Sequence, residues 1–133
     1  MIKFFIGAKG SGKTKTLIEL VNNAASTSKG SVVCIERGDK LRFDITSKAR
    51  LIDTDFYKVD NAEKLGGFIA GILASNSDIT DIFVDSALKI CKDDVPAFEA
   101  LLPVLDVLAK DINLVMTLSI ATDACPDSIK AYT

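Results

Sequence analysis

Four apolar runs punctuate the chain: IKFFI at 2–6, SVVCI at 31–35, DIFV within 80–85 and NLVMTLSI at 113–120. Each is too short for a helix, and several are rich in β-branched residues, so each predicts a strand buried on both faces. Between them the apolar residues change period. Leu17, Leu20, Val21, Ala24 and Ala25 recur at helical spacing, which predicts a helix over 13–25 that STSKG ends. Asp60 and Glu63 form a capping box for a second helix, with Leu65, Phe68, Ile69, Ile72 and Leu73 as its apolar face. Gly66, Gly67 and Gly71 weaken that helix by about 1 kcal/mol each relative to alanine, and close packing accounts for them. Asp94 caps a third helix, with Pro96 in its first turn and Phe98, Leu101, Leu102, Leu105 and Leu108 as its buried stripe. Pro103 lies inside that stripe and predicts a kink or a restart. In 40–56 the pattern alternates instead: Leu41, Phe43 and Ile45 are separated by Arg42 and Asp44, TSK turns, and ARLIDTDF is extended again. That reads as a half-exposed hairpin. The closing PDSIKAYT has room for one helical turn.

Apolar strands alternating with amphipathic helices predict an α/β fold. The expected architecture is three-layer α/β/α, with a mostly parallel sheet, a small β-hairpin insertion near residues 40–56 and a single domain over 1–133. A net charge of −2 lacks the basic excess of a nucleic-acid or membrane-surface binder, so nucleic acid is not expected as a partner. No apolar run approaches the roughly 20 residues of a membrane span. The opening MIKFFIGAKG is too short an apolar run for a secretion signal. The three cysteines, Cys34, Cys91 and Cys125, form no Cys-x-x-Cys pair, and with no histidine in the chain, histidine bases and zinc sites of the usual kind are excluded. A reduced cytoplasmic setting is the expectation.

One segment carries specific chemistry. GAKGSGKT, residues 7–14, follows the first strand and opens the first helix. Gly7, Gly12, Lys13 and Thr14 meet the pattern Gly-x4-Gly-Lys-Thr, and Gly10 adds a further glycine. Glycines allow positive φ, so the successive N–H groups of Gly7, Ala8, Lys9, Gly10, Ser11, Gly12, Lys13, Thr14 and Lys15 can turn inward on a phosphate. The helix N-terminus adds partial positive charge. Lys13 can reach the β- and γ-phosphates, and the Thr14 hydroxyl can ligate Mg²⁺. Asp85 ends the strand DIFVD, where an open α/β sheet binds its ligands, and is the second candidate for Mg²⁺; its plainer role is to cap the following turn. Asp81 starts that strand, away from the site.

With this loop and a DIFVD segment resembling Walker B, the chain resembles a minimal P-loop nucleoside triphosphatase of RecA-like type. The resemblance covers nearly the whole chain in layout, but only the loop and the Asp85 strand are specific. It implies binding of a nucleoside triphosphate, ATP first with GTP also open, together with Mg²⁺. Most such ATPases with an added strand carry a glutamate after the Walker B aspartate; here Ser86 follows Asp85. The RecA-like arrangement instead implies a catalytic glutamate at the end of the second strand, where Glu36 stands. Glu36 either orients an attacking water or is a surface residue beginning the turn before Gly38. A polar sensor is implied at the end of the strand beside the loop strand; Ser119 is the first choice ahead of Thr117, against a plain solvated strand end. Arg37, Arg42 and Arg50 suit a solvated face better than an arginine finger.

Two functions follow. One is Mg²⁺-dependent hydrolysis with Lys13, Glu36 and Asp85 as catalytic residues; the other is a nucleotide-binding switch or assembly module with little turnover. A small-molecule kinase would need an acceptor pocket and a lid rich in arginine, for which the chain gives no clear signal. The layout also predicts that the KFFI strand lies at a sheet edge, covered by the tail or by a second subunit, so a homo-oligomer or a larger protein partner is a further expectation.

Overall fold

Six strand residues at the start of the chain hydrogen-bond to a strand more than a hundred residues later, and this pairing sets the position of everything else. The computed structural model describes residues 1–133. Its elements are β1 (Ile2–Gly7), α1 (Lys13–Thr27), β2 (Ser31–Glu36), β3 (Ala49–Asp53), α2 (Ala62–Ser75), β4 (Ile79–Val84), α3 (Ala87–Ile90), α4 (Val95–Leu108), β5 (Asn113–Ser119) and α5 (Asp127–Lys130). The five strands form one sheet in the order β1-β5-β4-β2-β3, and every pairing is parallel. All strand carboxyl ends therefore share one rim.

Side chains alternate across the pleat, so each strand feeds two cores. Val32, Cys34, Phe83 and Val115 pack with Leu17 and Val21 of α1 on one face. Val33, Ile35, Ile82, Val84, Leu114 and Met116 pack with Leu65 and Ile69 of α2 and Phe98 and Leu105 of α4 on the other. This is an α/β fold with helices on both faces of a parallel sheet. Close packing accounts for Gly66, where a Cβ would lie 2.5 Å from Leu101 Cδ1 of α4, but not for Gly67 or Gly71, which have open space around them. All three cysteines are free and buried.

The expected hairpin at 40–56 is not formed. Residues 39–45 instead make consecutive turns, with Asp44 N donating to Leu41 O at 2.9 Å and Ile45 N to Leu41 O at 3.0 Å. Leu41 and Ile45 are buried while Phe43 is 85% exposed. A spacing of four satisfies both a strand and a helical turn; only Phe43 separates the two, and it faces solvent. ARLID then enters the sheet alone, as parallel edge strand β3. The expected capping box is not formed either. Asn61, not Asp60, caps α2 by accepting from Lys64 N at 2.8 Å, while Asp60 pairs with the Lys64 ammonium at 2.9 Å. Asp94 caps α4 as expected, by accepting from Ala97 N. That helix continues through Pro103 without a restart, its buried Leu101, Leu102 and Leu105 holding both sides of the proline in place.

β1 lies at a sheet edge, as expected, and the tail covers part of it. Phe4 N donates to Tyr132 O at 2.9 Å, Lys3 Nζ donates to Thr133 O at 2.8 Å, and the Tyr132 ring sits 5.1 Å from that of Phe4. The Tyr132 hydroxyl bonds both oxygens of Asp106. No helix is long and apolar enough to cross a membrane.

Candidate functional site

The loop after β1 closes on itself because glycine permits it. Gly10 and Gly12 have φ of 84° and 90°, in the left-handed region, with open space where a Cβ would stand. Conformation alone, not crowding, favours glycine there. Gly12 then serves as the N-cap of α1 with no side chain on the first-turn N–H groups and no acidic residue in that turn. Those donors remain open to an external anion. Lys13 folds back over the loop, donating to Ala8 O at 2.9 Å and Ser11 Oγ at 3.2 Å. Partial burial pulls its ammonium below the usual lysine range, and Asp85 partly restores it.

Parallel register brings the second half of the site to the same rim. Val84 pairs with Met116, so Asp85 comes level with Thr117. Asp85 Oδ1 accepts from Thr14 Oγ1 at 3.0 Å and from Thr117 Oγ1 at 2.9 Å. Thr117 Oγ1 also accepts from Ser86 N at 2.7 Å. Ser86 takes the left-handed conformation, with φ 53°, which turns the chain sharply out of β4. Asp85 N donates to Ile35 O at 2.8 Å, fixing the end of β4 against β2.

Glu36 ends β2, 1% exposed. Its Oε2 accepts from Leu41 N at 2.9 Å, and its Oε1 has no partner. Burial pushes its carboxyl above the usual range; the Leu41 amide and the Lys40 charge pull it back, and Asp85 and Asp39 raise it. Burial, with Asp85 and Glu36 nearby, pushes the Cys34 thiol up to about 12.

The loop, the end of β4 and the turn after β2 enclose a groove of about 640 Å³. Five lysines and two aspartates line it, in a chain whose net charge is −2. Lys9, Gly10, Gly12, Lys13, Thr14, Lys15, Asp85 and Ser119 are all on its wall. Gly7, Ala8 and Ser11 lie off the lining; Gly7 is in register with Ser119, and a Cβ on it would come 2.7 Å from Ser11 Oγ. Glu36 lies behind Leu41 and off the lining. Sequence reasoning missed Lys40 and Lys89, which also line the groove, and ranked Ser119 above Thr117. The register of β5 against β4 brings Thr117 onto Asp85, while Ser119 lies on the groove wall; no local pattern marks the two lysines. Arg42 pairs with Asp39 and lies over Phe43, and Arg37 pairs with Asp55 at 3.4 Å, as a solvated face would.

The donors present suit Mg²⁺ only in part. No group of three or more acidic, histidine or cysteine side chains could cage an ion. Thr14 and Asp85 do place two hard oxygens within 3.0 Å of each other beside a lysine-lined groove. This fits an ion that completes its shell with water and with the oxygens of a bound phosphate. No protein-family model matches the chain, and no curated protein matches it.

Proposed function

We propose that the chain binds a nucleoside triphosphate, ATP first and GTP second, together with Mg²⁺, and hydrolyses it in a cytoplasmic setting. The observation that carries this reading is the contact of Thr14 with Asp85 at the mouth of a groove walled by the glycine loop and five lysines. An anion-binding loop and an oxygen pair for a divalent ion meet at one point of one rim. The layout agrees with the resemblance to P-loop nucleoside triphosphatases: β5, beside the loop strand, brings Thr117 onto Asp85 and Ser119 to the groove wall.

In this reading the loop amides and Lys13 hold the β- and γ-phosphates and stabilise charge as the terminal phosphoryl leaves. Mg²⁺, held by Thr14 and Asp85, would neutralise charge on phosphate oxygens. Glu36 aligns the water that forms the new P–O bond as the bond to the β-phosphate oxygen breaks, yielding the nucleoside diphosphate and inorganic phosphate. A second reading has its own support. Glu36 is buried and tied to Leu41, off the groove wall, which suits a nucleotide-responsive switch or assembly module with little turnover.

A thermal-shift titration with ATP, GTP, ADP and GDP, with and without Mg²⁺, tests the common ground. Binding to the native state alone adds about 2.7 kcal/mol at a hundredfold excess over Kd. Lys13→Ala is expected to remove most of that gain. Equal stabilisation of wild type and Lys13→Ala, or none by any nucleotide, overturns the proposal. Phosphate release that Glu36→Gln leaves unchanged favours the switch.

A further inference from the structure

Two carboxylates are buried in this chain, and they are treated differently. Asp85 receives two hydroxyl donors on one oxygen. Glu36 has one backbone N–H on Oε2 and nothing on Oε1. A buried carboxylate oxygen without a partner costs free energy, and a conformation that gives it one recovers that cost. Its single tether is the amide of Leu41, and the residue before that amide is Lys40, whose side chain lines the groove.

The turn bearing both residues is fastened at its ends, and Leu41 is held within it by its buried side chain and by a carbonyl that accepts from Asp44 N and Ile45 N, which leaves the peptide unit between Lys40 and Leu41 as its least restrained part. Gly38, at φ 93°, donates its N–H to Asp53 Oδ1 at 2.7 Å. At the far end Asn22 clamps the chain, donating to Asp44 O at 2.9 Å and accepting from Thr46 N at 2.9 Å. Asn22 belongs to α1, the helix that the glycine loop opens. A turn of the peptide unit between Lys40 and Leu41 therefore takes the Leu41 N–H off Glu36 as Lys40 moves, while the Leu41 side chain and both anchors hold.

We propose that Lys40 contacts the bound phosphates and positions Glu36: the anion draws Lys40 inward, the Leu41 amide leaves the Glu36 carboxylate, and Glu36 is released to orient water. The inference rests on the nucleotide reading and adds to it a positioning residue outside the glycine loop. It also reconciles a carboxylate suited to water activation with the tether that holds it off the groove wall.

Residue-resolved amide exchange separates the two layers. With a non-hydrolysable ATP analogue and Mg²⁺, the amides of residues 7–15 slow, which reports binding. The Leu41 amide should exchange about tenfold faster, opposite to the usual effect of a ligand on its own site. That acceleration should vanish in Lys40→Ala and return in Lys40→Arg. Turnover should fall by a similar factor in Lys40→Ala and Glu36→Gln and little further in the double variant, as for residues acting as one unit. Loop protection with a Leu41 amide that slows or stays unchanged overturns the inference and leaves the nucleotide reading standing. Leu41 acceleration that persists in Lys40→Ala overturns the role of Lys40. Absence of loop protection with every nucleotide overturns both.

Discussion

Replacing Thr117 by valine tests the arrangement of the rim directly. Valine keeps the branched shape and removes one hydroxyl, so packing is nearly conserved while two hydrogen bonds go. The hydroxyl is in a side chain 1% exposed, donating to Asp85 Oδ1 at 2.9 Å and accepting from Ser86 N at 2.7 Å. A bond to a charged partner contributes about 1.5–3 kcal/mol, and a buried N–H left without an acceptor costs about 1–3 kcal/mol. The added methyl returns about 0.8 kcal/mol. The net expectation is a loss of roughly 2–5 kcal/mol. For a chain of this size that lowers Tm by roughly 10 °C. Urea unfolding followed by circular dichroism, with the m-value checked for constancy, measures the free energy. Ser119→Ala is the companion: it lies two residues along the same strand and is exposed, so it should stay within about 0.5 kcal/mol of wild type. If Thr117→Val also unfolds within about 0.5 kcal/mol of wild type, the Thr117–Asp85–Ser86 network does not hold the rim together.

Three further outcomes are expected. Burial raises the Glu36 carboxyl in the folded state, so folding takes up a proton there; the stability of wild type relative to Glu36→Gln should be greatest below the ordinary carboxylate range and fall as pH rises through the raised value. A difference between the two that stays flat from about pH 3 to about pH 8 in urea titrations contradicts this. Tyr132→Ala should cost about 2 kcal/mol by removing a ring packed on Phe4 and a hydroxyl bonded to Asp106, and light scattering should show concentration-dependent association as the β1 edge opens. Gly12→Ala should cost about 1–2 kcal/mol for a left-handed residue with free space around it, read by thermal unfolding.

The sheet was legible because its strands are apolar along their whole length, and only a parallel sheet covered on both faces buries such runs. The glycine loop was legible because its chemistry is local: the residues that open φ space, donate N–H groups and carry the ammonium are consecutive. What failed depended on longer distances. Leu41 and Ile45 fit two periodicities, and the choice fell to where Phe43 could find solvent. Asp60 and Asn61 are both good caps, and the first helical residue decided between them. That Thr117 bonds Asp85 follows from the alignment of β4 with β5, a register no single strand reveals, while Ser119 lines the groove. Lys40 and Lys89 reach the groove from segments whose sequences carry no mark of it.

Burial of every cysteine gives the molecule a silent background for thiol-directed probes. Burial pushes the Cys34 and Cys91 thiols up to about 12, the second with Asp94 and Asp93 close by, and burial likewise raises Cys125. A maleimide reacts with thiolates that it can reach, so the native protein should label only as fast as it opens. Phe43→Cys, at a position 85% exposed and three residues from Lys40, then supplies the one reactive handle. A fluorophore attached there would ride on the turn and convert any movement beside the groove into an optical signal, with no need to strip the native cysteines first.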